Sequence, residues 1–156
     1  MACVRENISA AIATALGNIS QISGLAVERG RSRPVQVSEM PRLVLLEGSQ
    51  SRVGETDGPG SPPADEKQYE ASYVIEGYVT GATDAAAVTA LNDLYGRTVA
   101  SLEADKTFGV TAVKASSEGG LETSPDEDEG HKPIWMFSLG WTVEYHALAG
   151  DPYTAA

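Results

Sequence analysis

The side chains that could do chemistry are few, and their spacing suits none of the common reaction types. His131 and His146 are the only histidines in 156 residues, and neither has a cysteine, a second histidine or a carboxylate at zinc-ligand spacing. The acidic run Asp126-Glu127-Asp128-Glu129, with Asp57, Asp65 and Glu66, offers oxygen ligands for calcium or magnesium. A hard-cation loop needs alternating acids around a central glycine, and Asp-x-Asp-x-Asp-Gly is absent, so these acids read as a solvated charge run. No Gly-x-Ser-x-Gly elbow, Gly-x-x-x-x-Gly-Lys phosphate loop or Gly-x-Gly-x-x-Gly fingerprint occurs at a strand-to-helix turn. Cys3 is the single thiol; it has no partner for an internal disulfide and reads as a bystander. Scattered carboxylates could serve glycoside chemistry, yet aromatics are only 6% of the chain and leave little platform for stacking a sugar. The expectation is a chain without catalytic, cofactor-binding or metal-ligating residues.

The whole-chain balance narrows the partners. Eleven basic against twenty-two acidic side chains give a net charge of −11, which opposes binding to phosphate backbones or anionic lipid and argues against a sequence-reading DNA-binding module. No apolar run approaches the roughly 18 residues of a membrane span, and no signal-like block opens the chain, so no membrane partner and cytosolic synthesis are expected. With 42% hydrophobic and 21% charged residues the chain should fold, and its length fits a single domain over 1–156.

The elements that would position these side chains follow from periodicity. Val4, Ile8, Ala11, Ile12, Ala15, Leu16, Ile19 and Ile22 recur at three- and four-residue steps, predicting a helix of about five turns that Gly24 would close. A strand is expected at Leu25–Arg29, and the next apolar run is Arg42–Glu47. Between them, residues 30–41 hold only a short Val35/Val37 alternation and could be a sheet edge or a loop. Residues 48–66 have the glycine, proline, serine and acid content of a mobile loop. Tyr69–Thr80 is a long strand with Tyr73, Ile75 and Val79 on one face. Gly81-Ala82-Thr83-Asp84 supplies a turn and a cap for a second helix carrying Val88, Leu91, Leu94, Tyr95, Thr98, Val99 and Leu102. Phe108–Ala115 should be a strand, 116–132 an acidic hairpin loop, and 148–156 a terminal tail.

The strongest pattern comes last: Trp135, Phe137, Leu139, Trp141, Val143, Tyr145 and Ala147 alternate with polar residues, so the aromatics are expected to form the core face of one strand. At about 3.3 Å per residue that strand would reach roughly 50 Å, against a domain width on the order of 40 Å. Either it bends, with Gly140 the natural place, or the ribbon completes its burial on another chain. The class is α+β: two amphipathic helices beside a sheet of four or five strands, mostly antiparallel, with a mixed sheet left open.

Four segments of this layout resemble the tail terminator proteins of long-tailed phages and gene-transfer particles, of the lambda minor-tail-protein U type. They are the amino-terminal amphipathic helix, and the strand Leu43–Glu47 with its following Gly/Pro/acid loop. The others are the strand over 69–81 leading to a helix that ends Leu102-Glu103-Ala104-Asp105-Lys106-Thr107-Phe108-Gly109, and the closing Val143-Glu144-Tyr145-x-x-x-x-Gly150-Asp151-Pro152-Tyr153. In similar chains the helix end reads Ala-Asp-x-Thr-Leu-Gly-Gly; here Phe108 replaces the leucine and Val110 the second glycine.

The resemblance implies a non-enzymatic homo-oligomer, a ring of six. Such a ring caps the tail tube, terminates its polymerisation, and joins the tail to a head connector or stopper protein. It implies residence in the virion at the head-proximal end of the tail, after synthesis in the host cytoplasm, with DNA passing through without sequence-specific binding. Candidate contacts to a sister subunit or to the tube protein are Arg29, Arg31 and Arg33, which form the only basic cluster, together with Asp105 and Tyr153. The arginines would meet an acidic edge of a neighbour, or else form a solvated basic loop. Two other readings stay open: another head–tail joining or tube component, and a small hydrolase or metal-dependent enzyme assembled from scattered carboxylates.

Overall fold

The computed structural model describes residues 2–53, 66–126, 132–148 and 150–155. Helix α1 spans Val4–Gly17 and buries Val4, Ile8, Ile12 and Leu16, a stripe at four-residue spacing. It is shorter than the apolar pattern predicts. Gly17 and Asn18 are poor helix formers, and the Asn18 N–H closes the last turn on Thr14 and Ala15. Ile19 and Ile22 still reach the core from the following turn. Gly24, expected to close the helix, instead takes φ +74° in the approach to strand β1, Ala26–Arg29.

Residues 30–41 form a loop with one short 3₁₀ turn, Val37–Glu39, and lead to β2, Arg42–Arg52, which runs parallel to β1. Strand β3, Glu66–Thr80, returns antiparallel to β2. Helix α2, Asp84–Glu103, starts where the sequence places it: the Thr83 hydroxyl accepts from the Ala86 N–H at 3.2 Å. Strands β4, Val113–Asp126, β5, Ile134–Leu148, and β6, Asp151–Ala155, complete a mixed six-stranded sheet in the order β1-β2-β3-β5-β4, with β6 paired to the end of β5. The architecture is α+β.

Three segments expected as loop or tail are largely strand where they are described. Gly48–Arg52 carries β2 onward past a register shift between Glu47 and Gln50, and Glu66 already belongs to β3; residues 54–65 of the expected mobile loop lie outside the described residues. Residues 116–126 of the expected acidic loop are β4, while 127–131 lie outside the described residues. The strand expected to begin at Phe108 begins at Val113, because Phe108 (φ +53°) and Gly109 (φ +69°) form a left-handed turn. Asp151–Ala155 of the expected tail pairs with β5 after Gly150 turns at φ +76°. In each case a neighbouring strand supplies the ladder hydrogen bonds that glycine- and serine-rich sequence does not itself favour.

The long ribbon lies inside its own sheet: β5 pairs with β3 along all fifteen residues and with β4 on its other side. Gly140 sits opposite the bulge at Gly119-Gly120, where a Cβ on Gly119 would approach the Gly140 carbonyl oxygen to 3.2 Å. Both helices cover one sheet face, sealing Tyr73, Ile75, Phe137, Leu139, Trp141 and Val143. Trp135 is an exception to the expected core face; it is half-buried at the margin and its indole N–H donates to Asp84 at 3.1 Å. No described helix covers the opposite face, where Glu70, Ser72, Val74 and Glu76 of β3 lie beside Ser138, Gly140, Thr142 and Glu144 of β5.

Candidate functional site

The three arginines expected to await a partner are engaged within the chain. The Arg29 guanidinium donates to both Glu6 oxygens at 2.8 and 2.9 Å and to Glu47 at 3.1 Å, tying α1 to β1 and β2. The Glu6 hydrogen bond leads in raising the Arg29 pKa, and Glu6 itself is held below the usual carboxylate range. Arg31 is buried, its side chain only 4% exposed, and donates to Glu28, to Glu39, and to the carbonyls of Arg33 and Pro34. Arg42 reaches the same Glu28 oxygen at 2.9 Å. This network clamps loop 30–41, whose Val35 is buried, as is Val44 of β2. Arg31 is therefore enclosed by its own chain, whereas Arg29 is paired but remains exposed. Arg33 donates to Glu39 at 2.8 Å and its side chain is 60% exposed.

Glu39 is the hinge of the clamp. Its carboxyl is held at about 2, chiefly by the Gln36 backbone N–H and then by Arg33, with Arg31 adding to the effect. A carboxylate depressed in the folded state stabilises the fold above its unfolded value of 4.5, and that contribution fades as pH falls from there toward about 2. Wild type should therefore exceed Glu39→Gln in urea midpoint at neutral pH, with the gap closing across that window. Titrating both proteins by chemical denaturation checks it.

Asp105 makes the turn after α2: its carboxylate accepts from the Thr107 N–H at 2.9 Å and hydroxyl at 2.7 Å, which lowers its pKa and sets up the left-handed turn at Phe108 and Gly109. Tyr153 projects from β6 with 51% exposure, while Asp151 accepts from the Tyr153 N–H at 2.9 Å. The structure does not bring Asp105, Tyr153 and the arginines into one contact set; they stand on different elements. Of the histidines, His146 lies 3.6 Å from Glu66, and His131 is outside the described residues. Among the described residues no three metal-ligating side chains cluster, and no helix is long and apolar enough to cross a membrane.

Two features escape sequence reading. One is a hollow of about 220 Å³ lined by Cys3, Arg5, Gln50, Tyr69, Tyr145 and Pro152. Tyr69 and Tyr145 stack there at 5.4 Å, and the Tyr145 hydroxyl donates to Gln50 at 2.7 Å; burial pushes its pKa up to about 12. Arg5 donates to the Gly48 carbonyl at 2.6 Å. The lining can accept a small polar group but pairs no nucleophile with a base. The other is the acidity of the uncovered face: Glu70 and Glu144 are directly opposite across the β3–β5 ladder, a like-charge pair partly offset by a Gln68 hydrogen bond to Glu144 at 3.4 Å. The alternation in each strand predicts a polar face, but which acids meet depends on register.

No protein-family model matches the chain, and no curated protein matches it at a significant level.

Proposed function

We propose that the chain is a tail terminator subunit: a non-enzymatic structural protein of the virion that assembles as a six-membered ring, caps the tail tube, ends its polymerisation and joins the tail to the head connector. One observation carries this reading. The chain spends its two longest strands on a sheet with a face that no described helix covers and an edge strand, β4, whose outer side no described strand flanks, and both carry acidic side chains. A subunit of a ring needs exposed flanks for its sisters. A bore lined by carboxylates offers passing DNA no lysine or arginine to neutralise its phosphates, so the DNA is not held.

Deleting the gene from its particle should give tails of unregulated length, or tails that never join heads, when lysates are viewed by negative-stain electron microscopy. Normal tails of normal length on filled heads in the deletion would end the proposal. A purified chain that polymerises into long tubes would assign it to the tube instead.

A further inference from the structure

The formal charge is divided unevenly along the chain. Residues 1–53, which build α1, β1, the clamped loop and β2, hold six basic and four acidic side chains, a net +2. Residues 54–156 hold five basic and eighteen acidic, a net −13. All four acids of the first group, Glu6, Glu28, Glu39 and Glu47, are already bound by arginines of the same group. The surplus on that flank is positive, and Arg33 presents it outward.

In the strand order this flank is one end of the sheet and β4 is the other. Strand β4 is exposed over 117–126 and displays Glu118, Glu122 and Asp126 against the single Lys114. Its bulge at Gly119-Gly120 and its Pro125 interrupt the backbone ladder, which disfavours continuous strand addition and leaves side chains to decide what docks.

Resting on the ring reading above, we propose that copies of this chain associate head to tail, the acidic β4 edge of one against the arginine flank of the next. Two different patches at opposite ends of one sheet make a heterologous contact, the kind that repeats around a closed ring. Opposite charge steers and registers the encounter, and like charge forbids the same edges from meeting each other.

The test exchanges the signs. Glu122→Lys with Asp126→Lys makes both flanks basic; Arg33→Glu with Arg52→Glu makes both acidic. Each double variant should self-associate at least about tenfold more weakly than wild type in sedimentation velocity. The chain carrying all four substitutions should recover association, and so should an equimolar mixture of the two double variants. Wild-type association should also weaken steadily with added salt. Far-ultraviolet circular-dichroism spectra matching wild type, with a cooperative melt, certify that each variant is folded.

Double variants that assemble as tightly as wild type would overturn this interface while leaving the ring intact. So would a folded four-substitution chain that does not recover. A wild-type chain that stays monomeric at millimolar concentration would remove the sister copy as the occupant, and the self-assembling ring with it.

Discussion

Trp141→Ala should lower the unfolding free energy by about 3–5 kcal/mol, a large share of the roughly 5–15 kcal/mol that holds a domain of this kind together. Trp141 stands at the middle of β5, between Tyr73 of β3 and Glu118 of β4, and is 1% exposed. Truncation would open a cavity beneath both helices that the paired strands cannot collapse to fill. Its indole N–H is buried and has no hydrogen-bond partner among the described residues. Trp141→Phe therefore removes an orphan donor along with part of the ring, and should cost roughly 1 kcal/mol or less. Urea unfolding of the three proteins, compared by midpoint at constant slope, checks the order. An alanine variant as stable as wild type would mean that β5 is not the centre of the core.

The second large effect concerns the smallest residue in that core. A Cβ on Gly77 would lie 2.3 Å from Phe137 Cε1 and 2.5 Å from Cζ, inside the contact distance of any real pair of carbons. Phe137 is fully buried and pairs with Gly77 across the β3–β5 ladder, so its ring has no empty space to enter. Gly77→Ala should cost about 2–3 kcal/mol by overpacking alone. The mechanism predicts its own remedy. Phe137→Leu deletes Cε1 and Cζ, so the double variant should be more stable than the sum of the single losses requires, by about 1 kcal/mol or more. Additive losses in a double-mutant cycle would show that the clash is not what destabilises the alanine variant.

Both effects arise on the helix-covered face, whereas the proposed assembly uses a sheet edge. The two sets of substitutions should therefore separate experimentally. Core variants should change melting without changing the salt dependence of association, and the β4 variant, Glu122→Lys with Asp126→Lys, should do the reverse. The arginine clamp lies between these cases. Arg31 is as buried as a core side chain, yet it joins Glu28 and Glu39 to the loop over Val35, so it prepares the flank that Arg33 presents.

Sequence periodicity was informative wherever burial is one-sided. The stripe Val4, Ile8, Ile12, Leu16 and the alternation from Phe137 to Ala147 each report a face directly, because side-chain direction repeats every 3.6 or 2 residues whatever the element packs against. The α+β class, a helix cap within residues 81–84 and the exposure of Tyr153 were legible for the same local reason, whereas residues 30–41 read equally as sheet edge or loop. The site was far less legible. Arg29, Arg31 and Arg33 look alike in sequence, but their carboxylates lie as far away as Glu6 and Glu47, and only the fold encloses Arg31 while leaving Arg29 and Arg33 exposed.

What the sequence determined by itself was thus the pair of helices, the two long alternating strands and the excess of negative charge, all properties of a local window or of a sum. Tertiary structure alone decided that Gly48–Arg52, Ser116–Asp126 and Asp151–Ala155 are strands, that Glu70 faces Glu144, and that β1 and the acidic strand β4 stand at opposite ends of one sheet. The reason is physical. A strand's hydrogen bonds are made to a neighbour that can be any distance away in the chain, so no window around Gly119 contains the β5 residues that hold it extended.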